Sequence, residues 1–139
     1  MKSFVLDASV ALSWFLDNPM PVYAKRVKQL LIRGARAVVP ALWHLEMSNG
    51  LVMAERRSIL TKADIDQAMI DIEQILAQAV DTDSLIVPVR QSLATARAFQ
   101  LSAYDAVYLD LARGHRVPLA TLDERLRAAA GEASVDLVR

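Results

Sequence analysis

The sequence predicts an α/β domain organised around a central, mainly parallel sheet. Three observations carry this. Short apolar runs recur along the chain, among them Phe4-Val5-Leu6, Ala37-Val38-Val39, Leu85-Ile86-Val87 and Val117-Pro118-Leu119-Ala120, and such runs read as buried strands. Longer segments with helical spacing of apolar residues lie between them, and alternating strands and helices argue for parallel strands joined by right-handed crossovers. The 139 residues are 54% hydrophobic, enough to bury the core of one domain spanning residues 1–139 and to exclude a disordered chain. The expected architecture is three-layered, with helices flanking a sheet of about four to five strands.

Residues 3–6 form the first strand and 8–15 the first helix. Asp17-Asn18-Pro19-Met20-Pro21 is a turn cluster, and Pro21 suits the start of a helix running to Ile32 with Gly34 as its stop. Ala37-Val38-Val39 is a short strand closed by Pro40. The helix from Ala41 to Glu55 is apolar on nearly every face, as in a buried or interfacial helix. Thr61 caps a helix to Ala79, with Asp64 in its first turn. Leu85-Ile86-Val87 is the third strand, and Pro88 opens a helix to Phe99. Ser102 starts another helix, which ends near Gly114, and Val117–Ala120 is the fourth strand. Leu122 to Ala129 is helical and stopped by Gly131, with Val135-Asp136-Leu137 as a last edge strand.

Composition narrows the function. There is no cysteine, which excludes a disulfide framework and thiol chemistry. Sixteen basic and 16 acidic residues cancel, so nucleic acid would have to be held by a local patch rather than an overall positive field. No apolar run approaches the ~20 residues of a membrane span, and the N-terminus enters its strand at once, leaving no room for a signal peptide. A cytoplasmic location is expected. The apolar surplus predicts self-association, with a homodimer the simplest form.

Four acids stand where the pattern calls for something else. Asp7 follows the first strand, where open α/β sheets bind ligands. Asp123 follows the fourth strand in the same way. Leu42, Glu46, Asn49 and Met53 share one helical face, so Glu46 interrupts an apolar stripe. Asp105 shares a face with Tyr108, Leu109 and Ala112. Asp7 and Asp123 could simply cap helices, and Asp105 lies three residues after Ser102 as in a capping box. Glu46 has no such explanation. Asp110, Asp64, Asp66, Asp71 and Glu73 read as solvated faces. Converging carboxylates repel without a cation, and oxygen donors with no Cys or His suit Mg²⁺ or Mn²⁺. The chemistry of such a site is phosphodiester hydrolysis by in-line displacement, without a covalent protein intermediate.

Four segments carry a family likeness: Val5-Leu6-Asp7-Ala8-Ser9, Pro40 through Asn49, Leu101 through Leu109, and Thr121-Leu122-Asp123-Glu124-Arg125-Leu126. In that order they resemble the PIN-domain ribonucleases, and specifically VapC-type toxins of toxin–antitoxin pairs, over essentially the whole chain. The resemblance implies a PIN-like three-layer fold and a metal-dependent endoribonuclease, with Asp7, Glu46, Asp105 and Asp123 as catalytic, metal-coordinating acids. Ser9, Asn49 and Thr121 would be supporting polar groups. It also implies an RNA substrate, a homodimer and a VapB-like antitoxin that alone contacts DNA. A nuclease acting on DNA and a non-catalytic PIN-like binding module are the alternatives; a phosphatase would want a second acid where Ser9 stands.

Other residues have plainer readings. His44 is off the Glu46 face and reads as a surface or packing residue, Trp14 and Phe15 as core or dimer contacts, and Tyr108 as core. Tyr104, at the start of its helix, stands near the site and could stack on a base. Arg56-Arg57 and Arg113-Gly114-His115-Arg116 are the densest basic clusters and candidates for phosphate contact.

Overall fold

The computed structural model describes residues 2–139. β1 (Ser3–Leu6) leads into α1 (Ala8–Leu16) and α2 (Val22–Ile32), and β2 (Arg36–Pro40) into α3 (Ala41–Arg56) and α4 (Lys62–Ala79). β3 (Val80–Asp83) leads into α5 (Val89–Phe99) and α6 (Ala103–His115), and β4 (Leu119–Ala120) into α7 (Glu124–Glu132). The strands form one four-stranded sheet in the order β3-β2-β1-β4. Every pairing in it is parallel, with Val5 opposite both Val38 and Leu119.

The order dictates the layers. From β1 the chain steps outward to β2 and β3, so right-handed crossovers lay α1 to α4 on one face. It then returns past β1 to place β4, which lays α5 and α6 on the other face. The packing agrees: α1 meets α2 and α3, and α3 meets α4, while α5 packs on α6, which lies against β1, β2, β4 and α7. This is the α/β/α fold with a parallel sheet that the sequence predicts. Phe4, Val5, Leu6, Val39 and Leu119 are buried between the layers, with Val10 and Val27 from one face and Tyr108 and Leu109 from the other. α1 and α3 touch at Gly50, where an added Cβ would fall 2.6 Å from a Leu12 methyl carbon.

The third strand departs from expectation. Leu85, Ile86 and Val87 lie outside the sheet, and Ile86 is 92% exposed. The strand is instead Val80-Asp81-Thr82-Asp83, immediately after α4. An edge strand needs no continuous apolar run, because solvent can satisfy one side of it. Arg36 on β2 holds it through Asp81, at 3.0 Å from Nε and 2.6 Å from Nη2. It ends where Asp83 Oδ1 accepts the Leu85 N–H at 3.0 Å and turns the chain away. The expected last edge strand is reduced to a single bridge, Leu119 to Leu137.

Two helix ends also differ. α7 starts at Glu124 rather than Leu122 and runs through Gly131 to Glu132. α6 ends at His115, next to Gly114 as expected, and its cap residue Arg116 takes the left-handed conformation. Gly34 does end its helix, with φ at 102°, a conformation that glycine adopts without the steric penalty of a Cβ. Thr61 and Asp64 form a reciprocal capping box at the start of α4. Among the described residues no helix is long and apolar enough to cross a membrane.

Candidate active site

The strand order reverses between β1 and β4, and open parallel sheets bind ligands outside the carboxyl ends of strands at such a switch point. Asp7 ends β1 and Asp123 follows β4, so both acids stand there. Asp7 is 4% exposed. It occupies the N-cap position of α1, yet its side chain makes no capping bond. Its Oδ2 instead accepts from Ser9 Oγ at 2.7 Å and Thr121 Oγ1 at 2.6 Å.

The two hydroxyls are spent fully. Ser9 Oγ accepts the Leu122 N–H at 3.0 Å, and Thr121 Oγ1 accepts the Asp123 N–H at 3.0 Å. Each therefore donates to Asp7 and accepts from the β4–α7 turn. Ser9 and Thr121 thus hold the Asp7 carboxylate in place. Asp123 does cap α7, accepting the Leu126 N–H on Oδ1 at 2.9 Å. Arg127 steadies the same turn by donating to the Thr121 carbonyl at 2.7 Å while lying 4.9 Å over the Tyr23 ring.

The helical acids approach from both layers. Glu46 on α3 is half-buried, and its Oε1 accepts from the Tyr108 hydroxyl at 2.6 Å. Asp105, in the first turn of α6, is also half-buried. Ser102 Oγ accepts the Asp105 N–H at 3.1 Å. The reciprocal bond that completes the box at Thr61 and Asp64 is not made here, so capping does not occupy the Asp105 carboxylate.

The acids feel one another. Burial raises the Asp7 carboxyl above its ordinary value; the Thr121 and Ser9 hydroxyls oppose this, and the Asp123 charge adds to it. Burial raises Glu46, against the Tyr108 bond and with help from the charges of Asp7 and Asp105. Burial raises Asp105 too, reinforced by Asp123 and Asp7 and eased by the Ser102 hydroxyl and the Arg125 charge. Three carboxyls thus lie above their ordinary values, from desolvation first and then from neighbouring negative charge.

Among the described residues no three His, Cys, Asp or Glu side chains form a ready-made metal cage. The donor set still fits a hard cation. Mg²⁺ commonly keeps several waters and takes only one or two protein carboxylates together with substrate phosphates, and negative oxygens that repel one another are what such an ion neutralises. A cleft of about 400 Å³ beside Glu46 and Asp105 is walled by Asn49, Ser102 and Tyr104. Asn49 makes no hydrogen bond to the four acids. A larger cavity, about 500 Å³, lies away from the acids between the 85–88 segment and α6.

Sequence reasoning misses three features. Tyr108 is core, but its hydroxyl also donates to Glu46. Arg127 carries no signal beyond its place in α7. Asp110 is not solvated: its Oδ1 accepts from Thr95 Oγ1 at 2.7 Å, and its Oδ2 is buried without a partner. His44 is a packing residue as expected, bonded to Thr82 at 2.9 Å.

A parallel α/β/α domain with carboxylates at its switch point suits chemistry on phosphate groups with a hard divalent cation. The chain belongs to the PIN domain family, whose sequence profile matches residues 4–132. That membership supports a nuclease-like function. Its fold is similar to that of PAE2754 from Pyrobaculum aerophilum, at 20% identity and a TM-score of 0.68, over 92% of this chain and 84% of that one. It is also similar to VapBC2 from Rickettsia felis, solved bound to a DNA fragment from their promoter, at 11% identity and a TM-score of 0.59, over 98% of this chain and 97% of that one. No curated protein is significantly similar to it in sequence.

Proposed function

We propose that the chain is a Mg²⁺- or Mn²⁺-dependent endoribonuclease toxin, one PIN-like domain over residues 1–139, acting in the cytoplasm and neutralised by a VapB-like antitoxin. The observation that carries the reading is the geometry at the sheet's switch point: Thr121 joins the Asp7 carboxylate to the Asp123 backbone, and Glu46 bonds Tyr108 one turn beyond Asp105. Capping does not explain Asp7 or Asp105, and Glu46 lies mid-helix.

Asp7, Glu46, Asp105 and Asp123 are the groups that would hold the cation. A divalent ion there supplies positive charge to a scissile phosphate and makes water a better nucleophile. The chain's own residues do the rest. Ser9 and Thr121 orient Asp7 and partly offset the cost of burying its charge, and Tyr108 does the same for Glu46. Asn49 and Tyr104 flank the cleft where an unpaired nucleotide would lie. The carboxylates also offer acceptor sites for a proton released from the attacking water.

The fold likeness to VapBC2 supports a protein partner of the toxin–antitoxin kind, with DNA reached only through that partner. Leu85, Ile86 and Val89 are exposed aliphatics, and they support a homodimer formed through this face. A non-catalytic binding module is the second reading, favoured by Asp123 acting as a helix cap.

One experiment separates the two. Purified protein is incubated with total RNA under chelator and under Mn²⁺, and new RNA ends are mapped. The nuclease reading expects discrete new ends with Mn²⁺ alone, lost in Asp7→Asn. Intact RNA under both conditions leaves the binding module.

A further inference from the structure

Tyr108 and Glu46 lie 62 positions apart in sequence and on opposite helical layers, yet their side chains meet at 2.6 Å. Tyr108 is wholly buried, so its ring has one fixed place. It lies one turn beyond Asp105 on α6, so the two residues share a helical face and move together. Helix α6 therefore presents one site acid and holds another.

We propose that Tyr108 is a positioning residue that fixes the Glu46 carboxylate for a divalent cation. The inference rests on the reading of Glu46 as a cation ligand. Glutamate has three rotatable side-chain bonds, and a half-buried one would sample several directions unless braced. The phenol engages Oε1 and leaves Oε2 without an intramolecular bond. A tyrosine also braces without charge: a lysine or arginine in its place would neutralise the carboxylate and compete with the ion. Phenylalanine would fill the same volume and need no partner, so packing alone does not call for the hydroxyl. Nor does the fold pair every buried polar atom, since Tyr23 Oη and Trp43 Nε1 are buried without partners. Groups that orient metal ligands commonly contribute about 10- to 100-fold in affinity or activity.

The test uses the full chain without RNA. Mn²⁺ dissociation constants are measured, by the electron paramagnetic resonance of free Mn²⁺, for the parent, Tyr108→Phe, Glu46→Gln and the double variant. Tyr108→Phe should weaken Mn²⁺ binding about 10-fold or more in the parent background and not at all in the Glu46→Gln background. Its melting temperature in chelator should stay close to the parental one, since ring packing is retained. Equal weakening in both backgrounds would mean that the hydroxyl acts through general packing, and would overturn the proposal.

A metal-free measurement on the parent keeps the question open to refutation if Tyr108→Phe does not fold. The carboxyl carbon of ¹³C-labelled Glu46, assigned by its loss in Glu46→Gln, should report one fixed conformer. A rotamer-averaged Glu46 in the parent overturns the proposal. A parent that binds no Mn²⁺ overturns the functional reading and this proposal together. A Mn²⁺ site that depends on Glu46 but not on Tyr108 overturns this proposal alone.

Discussion

Thr121 Oγ1 donates to Asp7 Oδ2 at 2.6 Å, across 114 positions of sequence. The same oxygen accepts the Asp123 N–H at 3.0 Å. One hydroxyl therefore ties the Asp7 carboxylate to the backbone of Asp123.

Thr121→Val tests that link while keeping the shape of the side chain. It removes a donor from a buried carboxylate and leaves the Asp123 N–H without its acceptor. A buried group left unpaired costs about 1–3 kcal/mol, so the urea midpoint should fall by an amount corresponding to that loss. RNA cleavage should fall as well, because Asp7 keeps only Ser9 as a hydroxyl donor. Parental stability and activity in Thr121→Val would remove Thr121 from the site.

Thr61→Ala is the structural counterpart. It breaks the capping box at the start of α4, far from the four acids in the chain and on a different helix. Loss of an N-cap costs about 1 kcal/mol. Thermal unfolding should show that loss while cleavage stays at the parental rate. A drop in cleavage here would mean that activity follows global stability rather than the acid cluster.

The contrast between these two threonines explains what the sequence made legible. Thr61 and Asp64 act within one turn, and local spacing is visible in a string of letters. Asp7 and Asp123 are visible as acids after strands, and Glu46 as an acid inside an apolar stripe. The Tyr108–Glu46 bond joins the two helical layers, and no periodicity in either helix encodes it. Asp110 reads as solvated from sequence because its partner Thr95 lies on a different helix. The third strand is not legible because an edge strand held by Arg36 and Asp81 needs few apolar residues, whereas Leu85-Ile86-Val87 has the composition of a strand and stands exposed on the surface.

The raised acids predict an unusual response to pH in the metal-free protein. Asp7, Glu46 and Asp105 have carboxyls above their unfolded values, so the folded state binds more protons than the unfolded state above about pH 4. Their contribution to stability is fully present below the unfolded value and is lost as pH rises through the folded values. Asp81 and Asp83 are lowered by Arg36 and His115; their contribution is present above the unfolded value and fades only as pH falls below it. The two windows do not overlap. Unfolding in chelator should therefore show stability declining as pH rises above the ordinary carboxylate range, and Mn²⁺ should reverse that decline. A flat profile in chelator would contradict the mutual influence of the acids.

Asp105→Asn separates the clustered acid from an ordinary helix-start residue. If Asp105 only favours the helix dipole, losing its charge costs about 0.3–1 kcal/mol and cleavage survives. The incomplete capping box argues against that role, because the carboxylate is free of the Ser102 backbone N–H. If it is one of four mutually influencing acids, neutralising it removes repulsion toward Asp7 and Asp123. The metal-free variant should then be at least as stable as the parent at pH 7, with the gap closing as pH falls and Asp105 protonates in the parent. The same change removes a negative ligand, so the rise in melting temperature with Mn²⁺ should shrink, as linkage requires when affinity falls. RNA cleavage should collapse. The measurement is a pair of melting curves, in chelator and in Mn²⁺, beside a cleavage assay on one preparation. Stability and activity moving in opposite directions is an outcome that helix capping does not produce, and an Asp105→Asn protein that cuts RNA at the parental rate would falsify the assignment of Asp105 to the site.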